Sequence, residues 1–524
     1  MYPGAYDPAR TAVVTADGGR ALTYGRLEER SLRLADHLRS AGLRVGDHLA
    51  LLADNDPRVL EVYWAALRSG LYLTVVNHHL TAGEAAHIVR DCGARALIVS
   101  GPLAELGRRV GELAPDAALH LHFDDGSYER ALADASPEPP AHQPRGVDML
   151  YSSGTTGLPK GIEPTLPEGD VREEMTMYQL LFQPMYGFGE DTVYLCPAPL
   201  YHAAPLRFSF VVTATGGTVV LMNSLDSFDP RRALAAIERH RVTHSQWVPT
   251  MFVRMLKLPE EVRGAYDVSS MRVAVHAAAP CPVEVKRRMM DWWGPVLYEY
   301  YSATEANGIT FVGPEEWLRK PGTVGRGGFL GELRICDDDG KVLPAGETGT
   351  VYFERDELPF RYHDDEARTR QAQHSDHPTW TTTGDIGHVD EDGYLFLTDR
   401  RAFTIISGGV NIYPQEIEDC LILNPQVADV AVIGVPDPEM GEAVKAVVQP
   451  APDATPGPRL ARELLDFVRD RIAHYKAPRS VDFTDALPRT PTGKLAKSSL
   501  REAYWGRGPR PSGAVPPRGS ARAR

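Results

Sequence analysis

The feature that most constrains this chain is the stretch Tyr151–Gly161, which is rich in glycine and hydroxyl side chains. It reads Tyr-Ser-Ser-Gly-Thr-Thr-Gly-Leu-Pro-Lys-Gly and follows the apolar pair Met149-Leu150. Glycines let backbone N–H groups approach an anion, hydroxyls add donors and the lysine adds positive charge. A Walker loop needs Ser or Thr after its lysine, whereas Lys160 is followed by glycine. We interpret the stretch as a different polyphosphate-binding loop, with an ordinary Ser/Gly/Thr turn as the alternative.

Length and composition define a broad class. A chain of 524 residues is too long for one core, so a large domain and a smaller one are expected. The formal net charge of -14 argues against a nucleic-acid surface. No apolar run is long enough to span a bilayer, and the first ten residues have no secretory pattern, so we expect a cytoplasmic protein.

The cysteines suggest neither a zinc site nor a disulfide framework, because they are far apart and form no CxxC pair. We expect them to be small core residues. They are Cys92, Cys196, Cys281, Cys336 and Cys420.

The first 398 residues alternate short apolar runs with helical patterns. Leu27 to Leu38 has helical spacing, and so does Arg231 to His240. Alternation of this kind predicts a layered α/β domain with parallel strands. The expected strands are 49–53, 96–100, 192–196, 217–222 and 272–275.

A second composition shift occurs near Asp399-Arg400, and α+β character follows it. We expect helices at 414–423 and 459–473 and strands at 427–435, 443–449 and 480–483. After Trp505 the chain is rich in Gly, Pro, Ser and Arg and has no acid, which predicts a disordered basic tail. The predicted division is therefore 1–398 for the large domain, 399–402 for a hinge, 403–505 for a small mobile domain and 506–524 for the tail.

Four further motifs follow the first one in a fixed order. They are Tyr298–Glu305, Thr383-Gly384-Asp385, the block from Asp399 to Pro414, and Arg489–Lys494. Together the five resemble the adenylate-forming superfamily of acyl-CoA synthetases, peptide-synthetase adenylation domains and luciferases, over residues 20 to 500. Within it the chain looks most like bacterial fatty-acid and aromatic-acid CoA ligases. The resemblance implies that a carboxylic acid attacks ATP, releasing pyrophosphate, and that a thiol then attacks the acyl-adenylate.

The resemblance assigns catalytic roles to three residues. Lys494 would bridge the carboxylate and the α-phosphate, Thr304 would donate to the α-phosphate, and Glu305 would hold Mg²⁺. A mobile ammonium suits the first role, since two anions must be brought together. A hard cation bound by one carboxylate and phosphate oxygens suits the last.

The resemblance also implies a nucleotide site. Thr155, Thr156 and Lys160 would face the β- and γ-phosphates, and Tyr301 would stack on adenine opposite Ala278–Pro280. Asp385 and Arg400 would contact the ribose, although an aspartate in a Gly-Asp turn can be only a turn residue. The full predicted set is Ser152, Ser153, Gly154, Thr155, Thr156, Gly157, Lys160, Ala278, Ala279, Pro280, Tyr300, Tyr301, Ser302, Asp385 and Arg400.

The acid and the thiol would bind nearby. The acid pocket is expected between Tyr201, His202, Trp247, Phe252, His276 and Ala277, which could equally be core residues. Ser407, Gly408 and Gly409 would approach the thiol when the small domain rotates about the hinge residue Ala402.

Three positions depart from the family pattern. Ala402 stands where relatives commonly carry Asp or Lys, Ser302 replaces a glycine, and Glu163 puts an acid where relatives often carry a base. We expect the protein to bind pyrophosphate more weakly because of the acid at Glu163.

The sequence therefore predicts an ATP- and Mg²⁺-dependent acid–CoA ligase, with either a fatty or an aromatic acid as substrate. One alternative is an adenylating enzyme that passes its intermediate to a carrier-protein thiol, an amine or another small nucleophile. The other is a non-catalytic nucleotide-binding protein on the same fold, against which Lys494, Glu305 and Asp385 argue. We expect no nucleic-acid partner and no membrane span. We expect the protein to form a homodimer.

Overall fold

The computed structural model describes residues 2–152, 159–400, 403–489 and 495–505, with only the backbone of Ser152 and Arg400. The chain divides into two compact units, Met1–Thr383 with His388–Leu397 and Gly384–Gly387 with Thr398–Arg524. The predicted hinge residue Ala402 and the predicted tail lie outside the described residues, so the proposed division at 399–402 and 506 stays a prediction.

The first unit is built from thirteen α-helices and the strands between them, counted within the described residues. The helices are α1 (Tyr24–Ser40), α2 (Arg58–Leu67), α3 (Ala82–Asp91), α4 (Ala104–Leu113), α5 (Ser127–Ala133), α6 (Met177–Tyr186), α7 (Ala203–Ala214), α8 (Pro230–His240), α9 (Pro249–Leu256), α10 (Glu260–Arg263), α11 (Val283–Trp293), α12 (Pro314–Arg319) and α13 (Glu366–Gln371).

The strands of this part of the chain are mostly short, and the last two contain residues of both units. They are β1 (Thr11–Thr15), β2 (Ala21–Thr23), β3 (His48–Leu52), β4 (Tyr72–Val75), β5 (Ala94–Val99), β6 (Leu119–His122), β7 (Val147–Asp148), β8 (Leu150–Ser152), β9 (Lys160–Glu163), β10 (Val193–Cys196), β11 (Thr218–Leu221), β12 (His244–Trp247), β13 (Val273–His276), β14 (Leu297–Ser302), β15 (Ile309–Val312), β16 (Gly325–Leu330), β17 (Glu332–Cys336), β18 (Gly349–Glu354), β19 (Arg361–Tyr362), β20 (Asp385–Val389) and β21 (Tyr394–Arg400).

Two sheets carry most of the first unit. One contains the consecutive strands β16-β15-β14-β13-β12-β10-β11-β1-β2, and the other is β6-β5-β3-β4-β7. Strands β14, β13, β12, β10, β11 and β1 pair in parallel, and so do all strands of the second sheet. Parallel strands covered by helices on both faces read as continuous apolar runs, and β4 and β13 are buried throughout. The predicted layered α/β fold is confirmed.

A third, small sheet orders the strands β19-β9-β8. Strands β8 and β9 form an antiparallel hairpin with Ser152 opposite Lys160, and β19 pairs with β9 through Tyr362 and Ile162. The sheet therefore joins the two ends of the glycine-rich stretch to a segment some two hundred residues further along the chain.

The second unit is an α+β domain, as the sequence predicts. Its described helices are α14 (Pro414–Ile422), α15 (Pro458–Arg469) and α16 (Lys497–Trp505), and its own strands are β22 (Ile405–Ser407), β23 (Val410–Ile412), β24 (Val427–Asp437), β25 (Gly441–Pro450) and β26 (Ser480–Phe483). Leu460, Leu464 and Val468 recur four residues apart on α15 and are all buried in the core of this unit. The order β23-β22-β25-β24, with β26 parallel to β25, gives a single sheet.

No helix among the described residues is long and apolar enough to cross a membrane.

Candidate active site

Lys160 begins β9, and its side chain is held by an acid from the segment after β19. The Lys160 ammonium lies 2.7 Å from Asp365 Oδ2. Asp365 also caps α13, because its side chain accepts a hydrogen bond from the Arg368 backbone N–H at 3.0 Å. The Lys160 hydrogen bond, together with the backbone bond from Arg368, holds the pKa of Asp365 below its usual range. An ionised carboxylate therefore faces the lysine that the sequence assigns to the phosphates.

The carboxylate of Glu305 is held by the same segment. Strand β14 ends at Ser302, and Thr304 and Glu305 follow it in a turn. The Tyr362 hydroxyl donates to Glu305 Oε1 at 2.9 Å. Burial and the charge of Glu305 raise the pKa of the Tyr362 hydroxyl, so it stays a proton donor. Residues 361–365 thus contact both Lys160 and Glu305.

The carboxylate of Glu163 has a partner that no pattern in the sequence predicts. Glu163 Oε2 lies 2.6 Å from His363 Nδ1, and His363 Nε2 lies 3.0 Å from the Asp91 carbonyl oxygen. Burial disfavours the charge on His363, but the hydrogen bond and charge of Glu163 outweigh it and raise the pKa of the imidazole. The extra negative charge beside the glycine-rich loop is therefore paired with a cation when His363 is protonated.

Two alanines near the predicted nucleotide site adopt left-handed backbone. Ala278 has φ +74° and Ala306, directly after Glu305, has φ +50°. Such values are uncommon for residues with a side chain and concentrate at functional sites. Ala277 is buried, whereas Ala278, Ala279 and Pro280 are exposed, as a wall against a bound base requires.

The predicted residues of β14 point to different faces of the sheet. The Tyr301 ring stacks near Phe353, with centroids 6.1 Å apart, whereas Tyr300 packs with Phe208 at 6.1 Å. Neighbouring strand residues alternate in this way, so the two tyrosines cannot share one contact surface. The Ser302 hydroxyl donates to the Gly308 carbonyl oxygen at 2.7 Å, which closes the turn that carries Glu305. This departure from glycine therefore has a local structural use.

Three of the predicted acid-pocket residues form a closed aromatic cluster. Trp247, Phe252 and His276 have no exposed surface, with ring centroids 6.1 Å apart for the first two and 5.7 Å for the last two. Burial lowers the pKa of His276 well below its usual range, and the nearby Lys286 charge lowers it further. A neutral, packed imidazole is consistent with the alternative, left open by the sequence, that these are core residues and not the walls of an acid pocket.

Two more of them, Tyr201 and His202, precede α7 and lie beside a second histidine. Their rings are 4.4 Å apart, and His78 meets the Tyr201 ring edge-on at 5.1 Å. Tyr201 is buried and His202 is only partly buried, so His202 keeps surface that a ligand could contact.

The predicted thiol-side residues form a tight hairpin in the second unit. Ser407 of β22 pairs with Val410 of β23 across Gly408 and Gly409, which have φ +57° and +80°. Two-residue hairpin loops with positive φ at both positions favour glycine. Ser407 and Gly408 line a cavity of about 430 Å³, whose other walls include Val410, Ile412, Met440, Arg469, His474, Tyr475 and Arg479. It combines an apolar wall with three basic groups.

The remaining predicted residues are described only in part. Asp385 begins β20 directly after Gly384, is 8% exposed and belongs to the second unit. Of Arg400 and Ser152 only the backbone is described, at the ends of β21 and β8. Ser153, Gly154, Thr155, Thr156, Gly157, Ala402 and Lys494 lie outside the described residues.

The side chains of the candidate site fit Mg²⁺ together with a nucleoside triphosphate. Across the described ranges, no group of three or more His, Cys, Asp or Glu side chains could hold a metal ion without help. Mg²⁺ is usually bound by one or two carboxylates together with phosphate oxygens and water. Glu305, partly exposed and with one oxygen held by Tyr362, matches that requirement.

The fold and these contacts define a two-unit α/β enzyme with a glycine-rich stretch between the paired strands β8 and β9. The chain belongs to the AMP-binding enzyme family, since the family model matches residues 4–361 and the model of the AMP-binding enzyme C-terminal domain matches residues 416–494. The resemblance, the fold class and the prediction of an AMP-forming ligase are confirmed.

Named relatives agree with this assignment over nearly the whole chain. The chain is 36% identical to a feruloyl-CoA synthase of Amycolatopsis sp, covering 95% of this chain and 96% of the relative. It is 31% identical to the long-chain-fatty-acid–CoA ligase FadD13 of Mycobacterium tuberculosis, again covering 95% and 96%. Among solved structures, the amide bond synthetase McbA of Marinactinospora thermotolerans matches with TM-score 0.78 and 28% identity, covering 95% and 97%. The predicted use of ATP, Mg²⁺ and CoA agrees with the family and with the two CoA-ligase relatives.

Sequence reasoning missed Tyr362 and Asp365, which contact the predicted site residues Glu305 and Lys160, and also His363, which contacts Glu163. Only a helix-cap pattern at Asp365, before Glu366–Gln371, was visible in the sequence. That pattern predicts a helix start and gives no sign of Lys160.

Proposed function

We propose that this protein joins a carboxylic acid to the thiol of CoA in two half-reactions. In the first, the acid attacks the α-phosphorus of ATP and pyrophosphate leaves. In the second, the thiol attacks the acyl carbon of the acyl-adenylate and AMP leaves. The acyl group ends as a thioester.

The observation that carries the proposal is the segment 361–365. It contacts Lys160 through Asp365 and Glu305 through Tyr362, and therefore links the glycine-rich hairpin to the turn after β14. An enzyme that cleaves ATP between its α- and β-phosphates needs a cation and a metal-binding carboxylate fixed near each other before the nucleotide arrives. This arrangement supports adenylation over simple nucleotide storage.

Each residue has a distinct task in the proposed first step. Lys160 neutralises charge on the leaving pyrophosphate, Thr304 donates to the α-phosphate, and Lys494 brings the acid carboxylate to it. Glu305 would hold Mg²⁺, which would supply positive charge to offset that of the phosphate oxygens facing the incoming anion. Asp385 and Arg400 orient the ribose, and Tyr301 with Ala278–Pro280 encloses the adenine.

For the acceptor we propose the thiol of CoA. The cavity at Ser407 and Gly408 combines apolar walls with Arg469, His474 and Arg479, a composition that suits a pantetheine arm with a phosphorylated end. An amine acceptor is the second candidate, because the similar McbA enzyme is an amide bond synthetase. A carrier-protein thiol would use the same apolar arm, delivered by a protein.

For the acid we propose an aromatic carboxylate first and a fatty acid second. The higher identity to a feruloyl-CoA synthase, 36% against 31% for the fatty-acid enzyme, supports this order. We further propose that the small domain turns about Ala402 between the half-reactions, that the protein acts in the cytoplasm, where ATP and CoA are supplied, and that it acts as a homodimer.

The test is acid-dependent pyrophosphate release from the full chain, measured with and without CoA and followed by mass spectrometry of the product. A panel of ferulate-type and long-chain acids is compared. An acyl-CoA product that needs ATP and CoA supports the proposal. Release without a CoA adduct, or an amide when amines are added, supports the second candidate. No release with any acid would contradict catalysis.

A further inference from the structure

The Lys160–Asp365 pair occupies the side chain that the proposed function gives to the phosphates. The two charged atoms are 2.7 Å apart, and the side chains are 30% and 32% exposed. The pair is therefore neither buried nor fully solvated, and a ligand entering from solvent can reach it.

Asp365 cannot leave this position easily, whereas Lys160 can. The other carboxylate oxygen of Asp365 caps α13 through the Arg368 N–H at 3.0 Å, which fixes the aspartate to the helix. Lys160 is attached by a long flexible stem and an ammonium with three donors. The lysine is thus the mobile partner of a fixed acid.

We propose that Asp365 is a positioning residue that holds the Lys160 ammonium between turnovers and competes with pyrophosphate for it, which favours release of pyrophosphate. The inference rests on the proposed function, because pyrophosphate is a product only if the chain adenylates an acid. It adds a residue that no motif of the sequence identified.

Binding of a polyphosphate exchanges the partner of the Lys160 ammonium. When a polyphosphate binds, Lys160 must leave Asp365 or share its donors, and the fixed carboxylate then faces an anion. Both effects weaken phosphate binding, and both vanish if the carboxylate charge is removed. After the reaction the same carboxylate takes the ammonium back, so that pyrophosphate dissociates faster.

Asp365→Asn is the direct test, because asparagine caps a helix as well as aspartate does. The matched control is Asp364→Asn, which changes the net charge equally at a side chain that is 92% exposed. Asparagine also tolerates the left-handed backbone of Asp364, whose φ is +49°. Binding of magnesium pyrophosphate to the full chain is measured by isothermal titration calorimetry at several salt concentrations.

We expect Asp365→Asn to lower the dissociation constant of magnesium pyrophosphate about 3- to 10-fold, since a half-exposed pair and a nearby like charge each change affinity by a factor of a few. Asp364→Asn should leave it within about twofold, because solvent screens a fully exposed charge. In a Lys160→Met background the gain from Asp365→Asn should be smaller, because competition for the ammonium is then absent and only the direct repulsion between the carboxylate and the anion is relieved.

Unchanged or weaker pyrophosphate binding in Asp365→Asn would overturn the inference while leaving the proposed function intact. An equal gain in Asp364→Asn, or a full gain in the Lys160→Met background, would overturn it too, since either points to general charge removal. Absence of pyrophosphate binding by the wild-type chain would overturn the proposed function together with it.

Discussion

Tyr362 makes two kinds of contact that serve different purposes at the scale of single residues. Its ring packs against Phe360, with centroids 5.3 Å apart, in a small buried cluster that includes Ile162. Its hydroxyl donates a hydrogen bond to Glu305. Packing and the hydrogen bond can therefore be separated by removing one oxygen atom.

Tyr362→Phe should weaken the binding of Mg²⁺ during adenylation, and so raise the Mg²⁺ concentration that the reaction needs, without unfolding the chain. The ring remains in its cluster, but Glu305 loses the donor that fixes its carboxylate. Hydrogen bonds to charged groups contribute about 1.5–3 kcal/mol, so the Mg²⁺ concentration at half-maximal ATP–pyrophosphate exchange should rise about tenfold. The exchange rate is measured against Mg²⁺ at fixed ATP, with the thermal midpoint as a folding control. An unchanged Mg²⁺ requirement would show that Glu305 needs no help from Tyr362.

The Glu163–His363 pair should make part of the stability depend on pH. The pKa of His363 is raised above its ordinary value of about 6.5, so the pair contributes fully below that pH and its contribution is lost as pH rises through the raised value. The effect should stay below about 1 kcal/mol, because Glu163 is 40% exposed and solvent screens it. Unfolding midpoints of wild type and Glu163→Gln are compared across this range. The gap between them should narrow at alkaline pH, and a constant gap would contradict the pairing.

At the scale of elements, α11 is tied to β14 by a buried ion pair. Lys286 Nζ lies 2.7 Å from Glu299 Oε2, and the side chains are 0% and 6% exposed. The same ammonium lies 4.6 Å from the centre of the Trp317 ring. Glu299 is three residues before Ser302, so the pair fixes the strand that presents Thr304 and Glu305.

Lys286→Met should destabilise the first unit by about 3–5 kcal/mol, because it leaves the buried Glu299 carboxyl without its cation and with the His276 imidazole beside it, at 3.4 Å. Lys320→Met is the matched control, since Lys320 lies at the same 2.7 Å from Asp390 but its side chain is 32% exposed. That change should cost far less, because solvent screens an exposed ion pair. Denaturant unfolding of both variants is compared with the double variant Lys286→Met with Glu299→Leu, which should recover most of the loss. Equal losses in the two single variants would show that burial is not the cause.

The elements themselves were largely readable in the sequence. The helix expected at 231–240 is α8, Pro230–His240, and the strand expected at 480–483 is β26. Local periodicity predicts such bounds, because the spacing of apolar residues that marks one face of a helix or strand can be recognised within a few residues. The contact between Lys160 and Asp365 joins positions 205 residues apart, and no local pattern encodes it. Tyr362 and His363 could not be predicted for the same reason. The tyrosines of β14 could be predicted, because they lie inside a motif.

At the scale of the whole molecule, two units share one proposed reaction. The described contacts of Lys160 and Glu305 belong to the first unit, whereas Ser407, Gly408 and their cavity belong to the second. Lys494 also belongs to the second unit by its place in the chain. If the small domain alternates between half-reactions, a change at Lys494 should affect only the step in which that lysine takes part.

Lys494→Ala should therefore slow adenylation about 10²- to 10³-fold or more, the loss expected when one preorganised donor is removed from a charged transition state. Thioester formation from a synthetic acyl-adenylate and CoA should be retained, because no carboxylate has to be brought to a phosphate in that step. Arg459→Ala, which removes a cation whose side chain is 89% exposed on α15, should leave both steps unchanged. ATP–pyrophosphate exchange reports the first step and thioester absorbance the second. Normal ATP–pyrophosphate exchange together with lost thioester formation would contradict this assignment. It would mean that Lys494 takes part in the thiol-transfer step and not in adenylation.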